Sequence, residues 1–365
     1  MKILHLGNPY FLQNFRELGH DVKWAACDKA ADVVMNPSLE SAKNFLGRVS
    51  PRWTPDLVVL GDDSVHPKVL GLEALEVPLV WYAIDSHIHA NWHRYYAAVF
   101  DVIFVAQQDW APVYRVDPDR QLISWKPLFC QWREDRCLDL DRDIPLSFVG
   151  TLNPIWNPER VELIRRIQER YPIIATSGPY LETFNRSMMV LNQSVANDVN
   201  FRTFQAMASG ALLMTERVGN GFGELFQDGT HCAVYERGNI DQLLTLVEHY
   251  RAHAGEREAV AFQGHQAVLN AHTSMHRAQS ILDVAATEQM DARVAKRISR
   301  QLQIQWSLAS AYEISARKYY QAAKQEEESL RRWRLREMAD GYHFLAATIR
   351  GQLTQFAEAE AAVPG

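Results

Sequence analysis

The sequence is poor in cysteine, and its cysteines are not closely paired. Only four are present, at Cys27, Cys130, Cys137 and Cys232, and no CxxC pair occurs. A zinc knuckle needs closely spaced cysteine pairs, and a disulfide-linked domain needs a higher cysteine density. Neither is therefore the basis of this fold, and we expect a reducing, cytoplasmic environment.

The sequence also lacks an excess of positive charge and any long apolar run. Its formal net charge is −6 at pH 7. General binding to nucleic acid needs a basic face, and a membrane-spanning helix needs about 20 apolar residues. The amino-terminal stretch MKILHLGNPY is interrupted at Gly7-Asn8-Pro9, so it does not have the pattern of a signal peptide. We therefore predict no nucleic-acid partner and no transmembrane segment.

What the sequence does contain is a repeated unit of a short apolar strand followed by an amphipathic helix. One series of strands reads KILHL, VKWAAC, DLVVLGDD, PLVWYAID and DVIFVAQQD, and a second reads LSFVG, IIATSG, MVLNQS, ALLMT and CAVY. Continuous apolar strands that alternate with helices predict parallel sheets covered on both faces. We therefore predict two doubly wound, Rossmann-like α/β domains, residues 1–127 and 128–275, with ligands in the cleft between them at the carboxyl ends of the strands.

The last part of the chain has a different pattern. Residues 296–365 contain no strand pattern and no proline before Pro364, and their apolar residues recur at helical spacing. This predicts a helical extension, arranged as a hairpin that resembles one unit of a repeat protein. Because one such unit buries little by itself, we expect it to pack on the main body, on a second copy of the chain or on a protein partner.

The stretch NFRTFQAMASG, residues 200–210, predicts a helix with one apolar and one polar face. Phe201, Phe204 and Ala208 fall on the apolar stripe, and Arg202 and Gln205 fall on the other face. In an ordinary αβ unit, the polar face would simply meet solvent. A glycine-rich loop follows, in TERVGNGFGELF, and leads into another helix near Glu224. Such a loop presents free backbone N–H groups to an anion, and a guanidinium group can hold phosphate with two hydrogen bonds. The two segments together favour a diphosphate site.

Three longer stretches resemble one known family. They are VLNQSVANDVNFRTFQAMASGALLMTERVGNGFGELFQDG, AIDSHIHANWHRYYAAVFDVIFVAQQD and GHQAVLNAHTSMHRAQSIL. Together they resemble the glycosyltransferases with two facing Rossmann-like domains, the GT-B type, and are closest to the CgeB-like spore-maturation and group 1 proteins. In that family, the third stretch leads into a helix that crosses back to the first domain. The resemblance therefore implies a crossover helix over residues 276–295.

The resemblance also implies a donor site in the second domain for a nucleotide-diphosphate sugar. Gly150 and Thr151 would approach the diphosphate, Arg202 would pair with phosphate and Gln205 would reach the ribose. The implied donor-binding residues are Gly150, Thr151, Asn192, Asn200, Arg202, Thr203, Gln205, Gly219, Asn220, Gly221 and Glu224. The chain departs from the family at two positions. Many relatives have glutamates eight residues apart where this chain has Asn197 and Gln205, and neither of these amides can act as a general base.

A cluster of histidines follows a predicted strand end in the first domain. AIDSHIHANWH contains Asp85, His87, His89 and His93. Histidine and carboxylate groups this close in sequence are consistent with a metal site, with structural helix capping, or with a catalytic or acceptor-binding role. As catalytic residues we single out Asp85, His87 and His89, because a transferase that inverts configuration needs a base for the acceptor hydroxyl. A retaining enzyme would need no such base.

The resemblance implies a metal-independent, hexosyltransferase-like glycosyltransferase without a bound metal or cofactor. Its donor would be a nucleotide-diphosphate sugar, with a UDP-sugar favoured, and its acceptor a protein or a glycan. Two alternatives stay open. One is a catalytically weak sugar-nucleotide-binding or scaffold protein, and the other is a metal-dependent hydrolase centred on Asp85, His87 and His89. A dinucleotide-dependent dehydrogenase is disfavoured, because the first strand is followed by HLGNPYFLQNF and not by a GxGxxG motif.

Overall fold

A computed structural model describes residues 1–36, 38–49 and 53–361, with side chains up to residue 355. These residues form two compact units. The first unit comprises residues 1–106, residues 110–125 and the chain from residue 280 onwards. The second unit comprises residues 107–109 and 126–279.

The first unit is built on a parallel sheet of seven strands in the described part of the chain. Its strands are β1 (Lys2–Gly7), β2 (Asp21–Ala26), β3 (Val33–Val34), β5 (Leu57–Gly61), β7 (Leu79–Ala83), β8 (Val102–Val105) and β9 (Leu122–Trp125); β4 (Glu40–Ser41) and β6 (Val69–Leu70) pair separately. The helices in this part are α1 (Leu12–Glu17), α2 (Ala42–Val49) and α3 (Ser86–Tyr96). The sheet order is β3-β2-β1-β5-β7-β8-β9, so the chain runs outward from β1 in one direction and then from β5 in the other.

The second unit has a five-stranded parallel sheet among its described residues. Its strands are β10 (Ile144–Val149), β11 (Ile174–Thr176), β12 (Ser187–Asn192), β13 (Leu212–Glu216) and β14 (Ala233–Tyr235). Its helices are α4 (Pro158–Gln168), α5 (Leu181–Arg186), α6 (Phe201–Ala208), α7 (Phe222–Leu225), α8 (Ile240–Ala252) and α9 (Ala254–Ala271). The order is β11-β10-β12-β13-β14, so the direction of winding reverses between β10 and β12. In open α/β sheets, ligands bind at such reversal points.

The carboxyl-terminal helices belong to the first unit. They follow α10 (Ser274–Ala285), and they are α11 (Gln289–Ser299), α12 (Gln301–Gln325) and α13 (Ser329–Ala361). Side chains of α12 and α13, including Leu308, Tyr312 and Tyr342, are buried in the same apolar cluster as the β7 side chain Trp81. The helical extension is therefore part of the core of the first unit, which was one of the packing surfaces that the sequence left open.

A buried charge cluster also joins these helices to the sheet. Arg297 in α11 is fully buried, and its Nη2 donates hydrogen bonds to the carbonyl oxygens of Leu75 and Val77, at 2.6 and 2.9 Å. Its Nη1 lies 3.5 Å from the Asp101 carboxylate, which also has Arg120 at 3.5 Å. The Arg297 hydrogen bonds thus supply donors to the carbonyl oxygens of Leu75 and Val77. Without them, these oxygens would lose water and gain no hydrogen bond in return.

The predicted fold class is confirmed: the chain has two parallel α/β sheets and carboxyl-terminal helices. Among the described helices, none is at once long and apolar enough to cross a membrane.

Candidate functional site

The reversal point of the second sheet is occupied by an arginine of α6. Arg202 lies in the first turn of this helix. Its Nε donates to the carbonyl oxygen of Val149 at 2.8 Å, and its Nη1 donates to Oδ1 of Asn192 at 3.0 Å. Val149 ends β10 and Asn192 ends β12. The side chain therefore connects the carboxyl ends of the two strands between which the winding reverses.

The guanidinium group of Arg202 is largely enclosed but retains donor capacity. It stacks on Phe148, with Cζ 4.3 Å from the ring centroid. Burial, with a smaller contribution from the neighbouring Arg160, lowers the pKa of Arg202 to about 9, which leaves the group a cation at neutral pH. Its Nη2 has no hydrogen-bond partner within the described part of the chain. An arginine facing solvent, the ordinary alternative for this helix, is not what the structure has.

Gly150 is required by this arrangement. It follows β10 directly, and a Cβ atom at this position would clash with Nη2 of Arg202 and lie 3.0 Å from Cζ of Phe148. The absence of a side chain thus lets the guanidinium group lie against the strand end. The next predicted residue, Thr151, is exposed, and its carbonyl oxygen accepts a hydrogen bond from Arg160 at 3.2 Å.

Thr203, a predicted donor residue, supports Asn192 from behind together with Thr215, which was not predicted. Nδ2 of Asn192 lies 3.3 Å from the Thr203 hydroxyl and 3.2 Å from the Thr215 hydroxyl, and all three residues are buried. These contacts fix the amide so that its oxygen faces Arg202. Asn200 stands at the N-cap of α6 in extended conformation, but its side chain makes no capping hydrogen bond, and its Oδ1 is buried without a partner in the described structure.

Sequence reasoning missed a second arginine beside Arg202. Arg160 in α4 donates from Nε to Oε1 of Gln193 at 2.8 Å, and its Cζ lies 5.5 Å from the Phe148 ring centroid. Two guanidinium groups therefore share one aromatic ring at this strand end. The only sequence signal was NPER, a proline-initiated helix start with an arginine in its first turn, which does not distinguish a site residue from a surface residue.

The glycine loop is held by side chains from other parts of the same unit. The backbone N–H of Gly219 donates to Oδ1 of Asn197 at 2.8 Å, and Nδ2 of Asn220 donates to the Asn197 carbonyl oxygen at 2.6 Å. Asp109 and Asn220 exchange two backbone-to-side-chain hydrogen bonds, at 3.1 and 3.2 Å. Asn220 and Gly221 both have positive φ. Asn197, one of the two amides singled out in the sequence, therefore orders this loop.

The remaining predicted donor residues lie around this loop and along α6. Gly221 is the N-cap of α7, which begins at Phe222 and has only four residues, so its dipole is weak. Glu224 in α7 is exposed and accepts a hydrogen bond from Gln108 at 2.8 Å. Gln205 is half-buried in α6 and interacts with the hydroxyl group of Tyr180.

The structure thus brings the predicted residues together in two groups. Gly150, Asn192, Arg202 and Thr203 form one group, and Gly219 to Gly221 form the other. Residues 193–200 connect the two groups. Gln193 directly follows Asn192 of the first group, and Asn197 contacts the glycine loop of the second.

The reversal point of the first sheet carries a carboxylate that was not among the predicted catalytic residues. Asp62 follows β5 and is buried; it accepts backbone hydrogen bonds from Ser64 at 2.9 Å and Ile84 at 3.0 Å. Burial, with a smaller contribution from the nearby charge of Asp85, raises the pKa of Asp62 to about 7. Asp85, at the N-cap of α3, is half-buried and accepts a hydrogen bond from the Ser64 hydroxyl. Two carboxylates therefore lie close together at this sheet edge.

The predicted histidines start a helix and not a loop. His87 is half-buried in the first turn of α3. His89 is buried, and burial lowers its pKa to about 4, with Lys318 of α12 adding to the effect. His93 is fully buried, and its Nδ1 lies 2.8 Å from the Tyr114 hydroxyl. His89 and His93 thus point toward the packed side of the helix, which is a structural environment.

The histidine cluster does not have the geometry of a metal site. A metal needs ligand atoms that converge on one point. Within the described residues, only His249, His253 and Glu256 form a group of three or more such residues with all ligand atoms within 4.8 Å of one another. The alternative of a metal-dependent hydrolase centred on Asp85, His87 and His89 therefore has no geometric support.

Several solved structures share the fold of this chain. HepE of Anabaena, crystallised in complex with UDP, superposes with a TM-score of 0.56 at 12% identity and covers 78% of this chain and 99% of its own. This is the GT-B fold. A glycosyltransferase from Rickettsia africae (TM-score 0.55, 10% identity, 78% and 97% covered) and the sucrose-phosphate synthase of Thermosynechococcus elongatus (0.53, 9%, 78% and 98%) are similar in the same way.

A likeness to glycosyltransferases is also found in the sequence, mostly within the second unit. Residues 133–283 match the family model described as "Glycosyl transferase-like". That segment includes the Arg202 group and the glycine loop. No curated protein matches the chain.

Proposed function

We propose that this protein is a glycosyltransferase of the CgeB-like type that transfers a hexose from a nucleotide-diphosphate sugar, with UDP favoured as the nucleotide, to a protein or glycan acceptor. The second unit binds the donor. The reaction proceeds without a metal ion, because the donor's phosphate charge is met by protein groups. The first unit binds the acceptor.

One observation carries this proposal: a cationic guanidinium group with a free N–H lies against Gly150 at the reversal point of the second sheet. A diphosphate needs charge-assisted donors and close approach of backbone, and Arg202 with Gly150 supplies both. The match of residues 133–283 to a glycosyltransferase family model supports the same assignment. The structural likeness to HepE, whose structure contains UDP, favours UDP as the nucleotide.

In the first unit, Asp85 is the residue that we assign as the base if the reaction inverts configuration. It is half-buried at the N-cap of α3, beside Ser64 and close to Asp62, and it keeps contact with solvent. His87 would orient the acceptor, since it lies two residues after Asp85 in the first turn of α3. His89 is buried and its pKa is lowered. Of the three predicted catalytic residues, it is therefore the one that we assign to packing.

A binding protein without turnover is the second candidate, and one contact favours it. Asn197, which replaces a family glutamate, hydrogen-bonds Gly219 and so has a structural task. Gln205, at the other such position, contacts Tyr180. Neither side chain can carry charge.

Donor binding is tested by calorimetric titration of UDP, UDP-glucose and the corresponding GDP compounds into the wild type and the variants Arg202→Lys and Arg202→Ala. Loss of a hydrogen-bonding partner for a charged phosphate group costs about 2–3 kcal/mol, so Arg202→Ala should weaken UDP binding about 30–150-fold. Arg202→Lys keeps the charge but loses the planar fork, and we expect an intermediate loss. Arg165→Ala, which removes an exposed arginine of α4, is the matched control. Equal UDP affinity in wild type and Arg202→Ala would reject the donor site.

Turnover is tested by following UDP release from each UDP-sugar that binds. Release by the wild type supports the transferase, and binding without release supports the scaffold alternative. Asp85→Asn should abolish release while UDP affinity is kept, with Asp63→Asn, an exposed neighbour, as the control. Full release by Asp85→Asn would show that this carboxylate is not the base and would favour a retaining reaction.

A further inference from the structure

Three potential metal ligands converge where α8 meets α9. His249 lies in the last turn of α8, Glu256 lies in the first turn of α9, and His253 is the single residue between the two helices. One ligand atom from each of them lies within 4.8 Å of those of the other two. All three side chains are exposed, so an ion can reach them from solvent.

The hydrogen bonds of His253 prepare it for coordination. Its Nδ1 lies 2.8 Å from the carbonyl oxygen of His249. Because a carbonyl oxygen only accepts, the Nδ1–H must donate, and the lone pair of this imidazole is then on Nε2. Histidines that bind metals usually donate their other ring N–H to a carbonyl or carboxylate group in this way.

His249 and Glu256 complete the ligand set. Nε2 of His249 lies 2.9 Å from Oε2 of Glu256, and the rings of His249 and His253 stack with centroids 4.4 Å apart. In a tetrahedral zinc site with bonds near 2.0–2.1 Å, neighbouring ligand atoms are about 3.3 Å apart. An ion would replace the proton shared by His249 and Glu256, and Nε2 of His249 and Oε2 of Glu256 would move apart by about 0.4 Å.

We propose that His249, His253 and Glu256 bind one Zn²⁺ ion, with water in the fourth position. Two imidazoles and one carboxylate are a ligand set that zinc accepts in a tetrahedral site. The ion fixes the direction change between α8 and α9. This role is independent of donor binding and of turnover.

The test is titration of ZnCl₂ into tag-free, chelator-treated protein by calorimetry, with wild type and the variants His249→Gln, His253→Gln and Glu256→Gln. The control is His343→Gln, which removes an exposed histidine of α13 outside the cluster. We expect one zinc per chain in the wild type and in His343→Gln. Each cluster variant should lose at least about 10–100-fold in zinc affinity. Loss of a residue that only hydrogen-bonds a metal ligand already costs that much, and these variants lose a ligand itself.

A second measurement distinguishes lost ligands from lost folding. The cluster variants should melt close to the wild type in the absence of zinc, and only the wild type and His343→Gln should rise in melting temperature when zinc is added. Co²⁺ in place of zinc should give the visible absorption of a four-coordinate site in those two proteins only. Absence of zinc binding in the wild type, or equal affinity in wild type, His249→Gln and His253→Gln, would overturn the proposal.

Discussion

Replacing Arg297 by methionine should destabilise the first unit selectively. Arg297 is fully buried, donates to the carbonyl oxygens of Leu75 and Val77, and lies 3.5 Å from the Asp101 carboxylate. Burial lowers the pKa of Arg297 to about 10 and raises that of Asp101, so desolvation outweighs their mutual attraction. The pair adds little net stability, but removing one partner leaves buried groups uncompensated. Such losses cost about 3–5 kcal/mol.

We expect the lower half of that range for Arg297→Met, about 3 kcal/mol, because Asp101 keeps Arg120 and the N–H of Leu79 as partners. For a unit of roughly 200 residues, 1 kcal/mol corresponds to about 2–4 °C, so its melting transition should fall by about 6–12 °C.

Differential scanning calorimetry measures this shift, since two compact units can give separate transitions. Arg300→Met is the matched control in the same region: Arg300 pairs with Asp117 at the surface, and we expect little change. The double variant Asp101→Asn/Arg297→Met should lose less than the sum of the single variants, because they share one interaction. A shift for Arg297→Met no larger than that for Arg300→Met would refute the reasoning.

Three further predictions follow from single contacts. Gly150→Ala should weaken UDP binding about tenfold with a small change in melting temperature, because the added Cβ displaces the Arg202 guanidinium group; unchanged affinity in a calorimetric titration would contradict this. Burial lowers the pKa of His5 to about 4, whereas in the unfolded chain this histidine binds a proton below about pH 6.5. The neutral, buried form therefore contributes up to about 3 kcal/mol of stability above pH 6.5, and this contribution is lost as the pH falls toward 4. His5→Phe should reduce the fall in melting temperature between pH 7 and pH 5, and an unaltered pH dependence would exclude His5 as its source. Tyr342→Phe should cost about 1–2 kcal/mol, because the carbonyl oxygen of Pro67 loses its 2.7 Å donor; urea unfolding measures this, and a loss near zero would show that α13 docks without it.

Much of the fold was predictable because it depends on local patterns. Continuous apolar strands separated by amphipathic helices predict parallel sheets wherever they occur, and both sheets are found over the segments where these patterns lie. The helix over Phe201–Ala208 and the positive φ of Gly210 follow from apolar spacing and from one glycine.

The site was predictable only in part, because its contacts join residues that are distant in sequence. Arg202 was predicted to bind phosphate, but its bonds to Val149 and Asn192 depend on the order of strands in the sheet. Gln193 and Arg160 were missed because neither has a distinctive neighbour in the sequence. The histidines were grouped by proximity in sequence, whereas the helix directs His89 and His93 toward buried packing.

The sequence by itself determined the periodicities, and with them the two parallel sheets and the carboxyl-terminal helices, because hydrophobic spacing acts over a few residues. Only the tertiary structure decided which side chains meet. It put α12 and α13 into the core of the first unit, Asp62 beside Asp85, and His249 beside Glu256. The physical reason is that burial, shared hydrogen bonds and shifted pKa values are properties of pairs in space, and these pairs exist only after the chain has folded.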